Sequence, residues 1–432
     1  MTLRTRHKAF ATAYNLLWTA ALPLLYAGSK RLRPGFGDRL VPADWASGPT
    51  DLWIQAASVG EAYLAWDLLK ALPEGRACNV LVTSCTSQGI GVIDRAVAWC
   101  RVHKPSVLVR RAYLPFDMPC RMRKALRLAR PRLLVLLETE LWPGMLLEAH
   151  KARVPVVVVN GRMNSRSLAG YLAAGDFFKA VSPTAVCAIS EKDAQRFATL
   201  FPDATVSAMP NMKFGRILDT GPMAFDANPL SGCIAPGAPF LVLGSVRAEE
   251  EPQVRDLIFR ILHERPTTII GVFPRHMHRV EAWAGWLNAS AYPWTRRSDM
   301  RLRGDVAAPG TVVLWDTIGE LQAAYALARA AFVGGSLRPL GGQNFLEPLT
   351  QGLVPCIGPH WSNFSWVGRE IIDAGLVKEA QNVEELADLL IKGMKRPLPP
   401  AKVIARMEKY LAPHQGGAQT ACACMLRHLD AR

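Results

Sequence analysis

Two series of short apolar runs, each followed by turn residues and then a longer amphipathic stretch, restrict the fold of this chain more than any other feature. The first series is "LWIQAA", "NVLVTS", "RLLVLLE", "VPVVVVN" and "AVCAIS"; the second is "FLVLGS", "TTIIGVFP", "TVVLWD", "AAFVGGS" and "LVPCIGP". Runs of this length without clean polar alternation read as strands covered on both faces, the condition of a parallel sheet. Their alternation with helical patterns gives βαβ units. A Gly/Pro-rich segment, "DTGPMAFDANPLSGCIAPGAP", separates the series. The expectation is an α/β protein of two doubly wound, Rossmann-like domains facing a central cleft, with the ligand in that cleft. The boundaries expected are a hydrophobic N-terminal helix over 1–34, a first domain over 35–218, a linker over 219–238 and a second domain over 239–432.

At 432 residues the chain exceeds the size at which a single core stops growing, which agrees with two domains. Charge is uneven. Residues 1–220 carry 29 Lys/Arg against 16 Asp/Glu, whereas residues 221–432 carry 22 against 20, so the basic surface belongs to the first half. Such a surface suits an anionic membrane or a phosphorylated substrate. Nucleic acid is disfavoured because the basic residues are dispersed and no aromatic side chains interleave them. The nine cysteines show no CxxC pair, which points to reduced thiols and to neither a zinc site nor a disulfide framework. Between Lys8 and Lys30 lies an uncharged run, "AFATAYNLLWTAALPLLYAGS", with Arg4, Arg6 and Lys8 before it and Lys30, Arg31 and Arg33 after it. It reads as a membrane anchor or an embedded interfacial helix, weakened as a spanning segment by Asn15 and Pro23.

Polar residues interrupt the strand ends where a buried sheet otherwise prefers small apolar ones. "SVGE" places Glu61 at the head of a helix whose Leu64, Leu68 and Leu72 recur every four residues. By itself such an acid favours the helix dipole. "ETELWPG" adds Glu138 and Glu140 at a second strand end, and carboxylates crowded at one sheet edge raise one another's pKa, as general-base work requires. "NGRMNSRSLAGY" brings Arg162 and Arg166, suited to a carboxylate or phosphate, and Ser58 and Gly60 border the same edge. In the second half "LGSVRAEEE", "FPRHMHRV", "WDTIGEL" and "GGSLRPLGGQNFLEP" follow strands. Their glycines admit a phosphate close to backbone, Arg275 and His276 add positive charge, and Glu347 suits two ribose hydroxyls.

Taken in order, "SVGE", "LPFDMP", "ETELWPGML", "VNGRMNSRS", "NMKF", "FPRH", "DTIGEL", "AFVGGSL…GGQNFLEP" and "GPH…NF" resemble the 3-deoxy-D-manno-octulosonic acid (Kdo) transferases of lipopolysaccharide synthesis over most of the chain. The resemblance implies a GT-B glycosyltransferase that needs neither metal nor cofactor. The acceptor, a lipid A precursor, would bind the first domain and the donor CMP-Kdo the second, at the cytoplasmic face of a bacterial inner membrane. It also implies Glu61 as proton acceptor, with Glu138 and Lys213 supporting the transition state of an inverting displacement. Arg275 and His276, Ile318, Gly319 and Glu320, and Asn344, Phe345, Leu346 and Glu347 fall where the family binds CMP. Ser58, Gly60, Arg162 and Arg166 are candidates for the acceptor or the sugar carboxylate. The chain departs from the family at "GSVRAEEE", where Gly-Ser-Thr-His-x-Gly-Glu-Glu is usual, and at Gln343, where His is frequent. These departures leave open a related transferase with a changed donor or acceptor, and a membrane-bound paralogue without turnover.

Overall fold

The computed structural model describes residues 5–28, 34–46, 48–218 and 221–431. The chain forms two compact units, one built from Met1–Gly215 with His414–Arg432 and the other from Arg216–Pro413. The first holds strands β1 (Thr50–Ala56), β2 (Cys78–Ser84), β3 (Val107–Tyr113), β4 (Pro131–Leu137), β5 (Val156–Gly161), β6 (Ala185–Ala188) and β7 (Thr205–Ala208). They pair in parallel in the order β3-β2-β1-β4-β5-β6-β7. The second holds β8 (Phe240–Val246), β9 (Ile269–Pro274), β10 (Trp294–Arg296), β11 (Val312–Leu314), β12 (Ala330–Val333), β13 (Cys356–Ile357) and β14 (Lys378–Glu379). These are parallel in the order β10-β11-β9-β8-β12-β13-β14. The helices that bear on the site are α1 (Thr5–Gly28), α2 (Val59–Ala71), α3 (Ser87–His103), α4 (Pro119–Ala129), α5 (Pro143–Lys151), α6 (Ser165–Leu172), α7 (Glu251–Glu264), α8 (Leu321–Leu327) and α9 (Gly417–Asp430).

Strand residues alternate between two cores because successive side chains leave a strand on opposite faces. Leu52, Ile54, Val80, Val82, Leu133 and Val135 pack with Leu64 and Leu68 of α2 and Met425 of α9. Trp53, Leu81, Leu134, Leu136 and Val158 pack on the other face with Met122, Met145 and Leu146. Each fully buried leucine of this kind contributes about 2 kcal/mol. The strand order reverses between β1 and β4 in the first sheet and between β8 and β12 in the second, where β11 is also inserted between β9 and β10. At such a reversal the connections leave in opposite directions and open a crevice at the carboxyl ends of the strands. "SVGE" and "ETELWPG" follow β1 and β4, and "RAEEE" and "GGS" follow β8 and β12.

One expectation needs correction and another is narrowed. Residues 239–432 do not form one unit, because α9 returns to the first sheet and buries Ala421, Cys422, Met425 and Leu429 in its core. An Asp430–Arg76 ion pair fastens its end. The N-terminal apolar run is helical, but no helix among the described residues is long and apolar enough to cross a membrane. Polar residues within it are spent on protein contacts: Tyr14 donates to Asp117 at 2.9 Å, and Asn15 Oδ1 accepts from the Cys120 amide at 3.4 Å. Trp18 lies against Phe116, with ring centroids 5.8 Å apart. The flanking Arg4, Lys30, Arg31 and Arg33 lie outside the described residues.

Candidate functional site

Glu61 is the third residue of α2. Ser58, the N-cap, accepts from the Glu61 amide at 3.3 Å, and the Glu61 carboxylate reaches back to the amides of Ala57 at 2.5 Å and Ser58 at 3.4 Å. This is a reciprocal capping box, written in sequence as S-x-x-E. Glu61 is nonetheless only 7 % exposed. Burial raises its pKa, the Ala57 amide pulls it back, and nearby Glu138 raises it further, so it is more basic than a solvated glutamate. Ser58, Val59 and Gly60 are exposed around it, and a Cβ at Gly60 would meet the Ser58 hydroxyl at 3.8 Å, an ordinary contact.

Across the strand reversal, Glu138 adopts a left-handed conformation, with φ of 54°, and its amide donates to the Val159 carbonyl at 3.1 Å. The chain thereby leaves β4 sharply, and Glu138 forms an ion pair with Lys213. Lys213 belongs to a short turn after β7 that two asparagines hold. Buried Asn160 accepts from the Met212 amide at 2.9 Å, and Asn211 accepts from the Lys213 amide at 3.0 Å. Asn160 is also left-handed, with φ of 55°. Glu140 accepts from the Trp142 indole at 2.6 Å. Burial first and then the charge of Glu61 push its carboxyl up to about 7. The Glu61 charge thus disfavours ionisation of Glu140 beside it. Arg162 contributes its carbonyl as acceptor for the Thr139 hydroxyl, and its half-buried guanidinium and the exposed one of Arg166 form no ion pair among the described residues. The first unit therefore gathers Glu61, Glu138, Glu140 and Lys213 at one sheet edge and leaves two arginines available nearby.

In the second unit Glu250 is the organising residue. It is fully buried and accepts from the amides of Arg247 at 2.9 Å and Gly335 at 2.5 Å, tying the end of β8 to the end of β12. A Cβ on Gly334 would lie 2.5 Å from the Glu250 carboxylate and 2.6 Å from the Ser245 carbonyl, so that glycine is required. Beside this junction Arg275 donates to Gln343 at 3.1 Å, and Asn344 donates to Glu347 at 2.9 Å. Burial raises the pKa of Glu347, while Asn344 and Arg275 lower it. His276 is exposed, and its pKa is lowered by partial burial and by Arg247 and Arg275. Phe345 and Leu346 are buried and serve packing.

Glu320 is differently used. Its carboxylate takes Arg297 in two bonds of 3.0 and 3.1 Å, the Trp315 indole at 2.8 Å and the Thr317 hydroxyl at 2.9 Å. With its oxygens so occupied, it holds the loop that presents Ile318, 84 % exposed, and Gly319, at φ of 96°. That loop leads into α8, whose Tyr325 packs beneath Gly244. Among the described residues no group of three or more His, Cys, Asp and Glu is placed to hold a metal ion.

Sequence reasoning did not single out Asn160, Arg297 or Glu250 as organisers of the site. Only Glu250 carried a usable signal, as one acid of "AEEE" opening a helix after a strand. Asn160 and Arg297 act through contacts that spacing does not encode.

Comparison with known proteins supplies independent findings. The family model described as 3-Deoxy-D-manno-octulosonic-acid transferase (kdotransferase) matches residues 31–216. A 3-deoxy-D-manno-octulosonic acid transferase of Bordetella pertussis is 30% identical over 374 residues, covering 85% of this chain and 85% of that protein. A crystal structure of the C-terminal CMP-Kdo binding domain of WaaA from Acinetobacter baumannii is 30% identical, over 40% of this chain and 90% of that one, with a TM-score of 0.37. A crystal structure of UDP-N-acetylglucosamine 2-epimerase is 13% identical, with a TM-score of 0.56 over 89% of this chain and 97% of that one, a likeness of fold.

Proposed function

Because the chain belongs to the 3-deoxy-D-manno-octulosonic acid transferase family and is a glycosyltransferase of lipopolysaccharide synthesis, we propose that it transfers Kdo from CMP-Kdo to a lipid A precursor with Glu61 as general base. The observation that carries this reading is the buried, pKa-raised Glu61 at the strand reversal of the first unit, beside the Glu138–Lys213 pair. An acceptor hydroxyl attacks the anomeric carbon of Kdo and gives its proton to the Glu61 carboxylate. The new glycosidic bond forms as the bond from that carbon to the CMP phosphate oxygen breaks, with inversion. Glu138 and Lys213 support the transition state, and Arg162, Arg166, Ser58 and Gly60 offer donors to the phosphates of the acceptor or to the sugar carboxylate. In the second unit Arg275, His276, the 318–320 loop, Asn344 and Glu347 bind CMP, with buried Phe345 and Leu346 supporting that segment from below. Glu320 does so by shaping the loop, and Glu347 by accepting from ribose hydroxyls. No step in this account calls for a metal.

The same reading places the protein on an anionic membrane surface. Leu16, Leu17, Leu24 and Tyr26 of α1 are exposed, and a helix lying in the headgroup region would cover them. The test is to incubate the protein with CMP-Kdo and lipid A precursor and to follow CMP release and the mass of the glycolipid. CMP release no greater than that of a Glu61→Ala control would refute it. A second reading, a changed nucleotide donor, is favoured by Arg247, which pairs with Glu249 at 3.3 Å where the family has an imidazole. Thermal shift with cytidine and uridine nucleotides separates the two, since a shift with uridine nucleotides alone supports the second.

A further inference from the structure

Asp117 lies in the loop between β3 and α4 and is 1 % exposed. Its carboxylate collects three donors from two other elements. Oδ1 accepts from the Met145 amide at 2.7 Å, and Oδ2 accepts from the Gly144 amide at 2.8 Å and from the Tyr14 hydroxyl of α1 at 2.9 Å. The first turn of α5 has otherwise no side-chain cap: Trp142 stands at the N-cap, and Pro143 at the first position donates nothing. Asp117 thus supplies from outside the cap that the local sequence omits. The approach is close enough that a Cβ on Gly144 would lie 2.3 Å from the Asp117 carbonyl.

The segment so held is the acid loop, 138–142. Its start is pinned by the Glu138 amide on Val159 and by Thr139 on the Arg162 carbonyl. Its end is pinned by Asp117 through Gly144 and Met145. Between these two clamps sit Glu140 and the indole that it accepts from. The second clamp shares its seat with α1: Trp18 and Phe36 both pack on Phe116, the neighbour of Asp117, and Tyr26 packs on Phe36 at 4.8 Å. Displacing α1 removes one of the three donors and admits water to a carboxylate that is otherwise shielded. Glu148 of α5 is already committed to Arg123 and Lys151 and does not substitute.

We propose that Asp117 is a positioning residue for the acid loop, and that Tyr14 makes this positioning conditional on the docking of α1, so that the state of the N-terminal helix sets the rate of transfer. This rests on the reading of Glu61 and the acid loop as the acceptor-side machinery. Asparagine at 117 keeps one acceptor oxygen and leaves one first-turn amide unpaired. A lesion of that size corresponds to about a tenfold fall in kcat for Asp117→Asn and about threefold for Tyr14→Phe. The donor KM should stay unchanged, because donor recognition is assigned to the other unit.

The test is a double-mutant cycle on kcat and KM in the full chain, each variant assayed well below its own unfolding midpoint so that folded fraction does not enter. If Tyr14 acts through Asp117, Tyr14→Phe costs threefold in the parent and nothing in the Asp117→Asn background. Singles that both keep the parental kcat overturn the inference, as do losses that multiply independently in the double variant. If Asp117→Asn does not fold, Tyr14→Phe alone decides, since parental kcat in that variant also overturns it. Absence of turnover in the unsubstituted protein overturns the functional reading itself, whereas robust parental turnover with indifferent variants overturns this inference alone.

Discussion

Replacing Glu140 with glutamine should stabilise the first unit, by an amount that depends on pH in a direction fixed by the structure. Burial and the Glu61 charge push the Glu140 carboxyl up to about 7, against 4.5 for an unhindered glutamate. Between those two values the folded protein holds a proton that the unfolded chain has lost, so stability falls as pH rises through the window. Below about 4.5 the side chain is neutral in both states and costs nothing. Above about 7 it is charged in both, and the folded state bears the whole difference, up to about 3 kcal/mol. Glutamine keeps an acceptor for the Trp142 indole and has no charge to bury. The variant and the parent should therefore coincide near pH 4 and diverge to about 3 kcal/mol by pH 8. For a unit of this size that amounts to about 6 to 12 °C in midpoint. The assay is thermal unfolding across pH 4 to 8.5, following the transition of the first unit separately because two units need not melt together. A stability difference that stays flat with pH, or that favours the parent at alkaline pH, would refute the assignment of the raised pKa to Glu140.

Three further outcomes follow from the geometry. Glu61→Gln retains an acceptor for the Ala57 amide and so should cost under about 1 kcal/mol of stability, while lowering kcat by about 10² to 10⁴ as a lost general base does; turnover above one tenth of parental excludes Glu61 from that role. Gly144→Ala forces a methyl group onto the Asp117 carbonyl, and unfolding measurements should show a loss of about 1 to 3 kcal/mol or more. Unchanged stability there would mean that the close approach at α5 is not real. Arg297→Met strips Glu320 of its two-bond partner, itself only 4 % exposed, and should destabilise the second unit by about 3 kcal/mol and raise the donor KM by loosening the 318–320 loop. An unaltered donor KM would separate that loop from nucleotide binding.

Much of the architecture was legible in the primary sequence because parallel strands covered on both faces need continuous apolar runs, and those runs were intact. The two strand reversals were not legible, since strand order depends on which connection crosses which face, and no residue carries that information alone. Residues 414–432 were assigned to the second unit because they follow it in the chain. Their apolar stripe, which includes Ala421 and Met425, shows only that the helix is covered, not by which sheet. The N-terminal run was read for a bilayer from its length without charge, but Tyr14, Asn15 and Trp18 are turned to the 116–120 segment. Composition does not separate an apolar face that meets protein from one that meets lipid, and α1 has residues of both kinds. Glu320 was placed at the nucleotide site by motif alone, and its bond to Arg297, 23 positions earlier, was not legible because spacing does not encode it.

Glu61 illustrates why motif spacing and chemistry must be argued together. The S-x-x-E pattern that makes it conspicuous is also a sufficient structural explanation for an acid at that place, and the capping box is indeed formed. A cap on a solvated surface, however, lowers a carboxylate pKa, because two amides and a helix N-terminus favour the charged form. Here the balance runs the other way: burial outweighs the amides, and Glu138 adds to it. The capping bonds then fix the carboxylate in one orientation, while its surroundings keep it basic. A side chain that only capped α2 would gain nothing from being buried beside two other acids. The desolvation is a cost to folding, and in the mechanism proposed for Glu61 the benefit it matches is the capture of a proton from an acceptor hydroxyl.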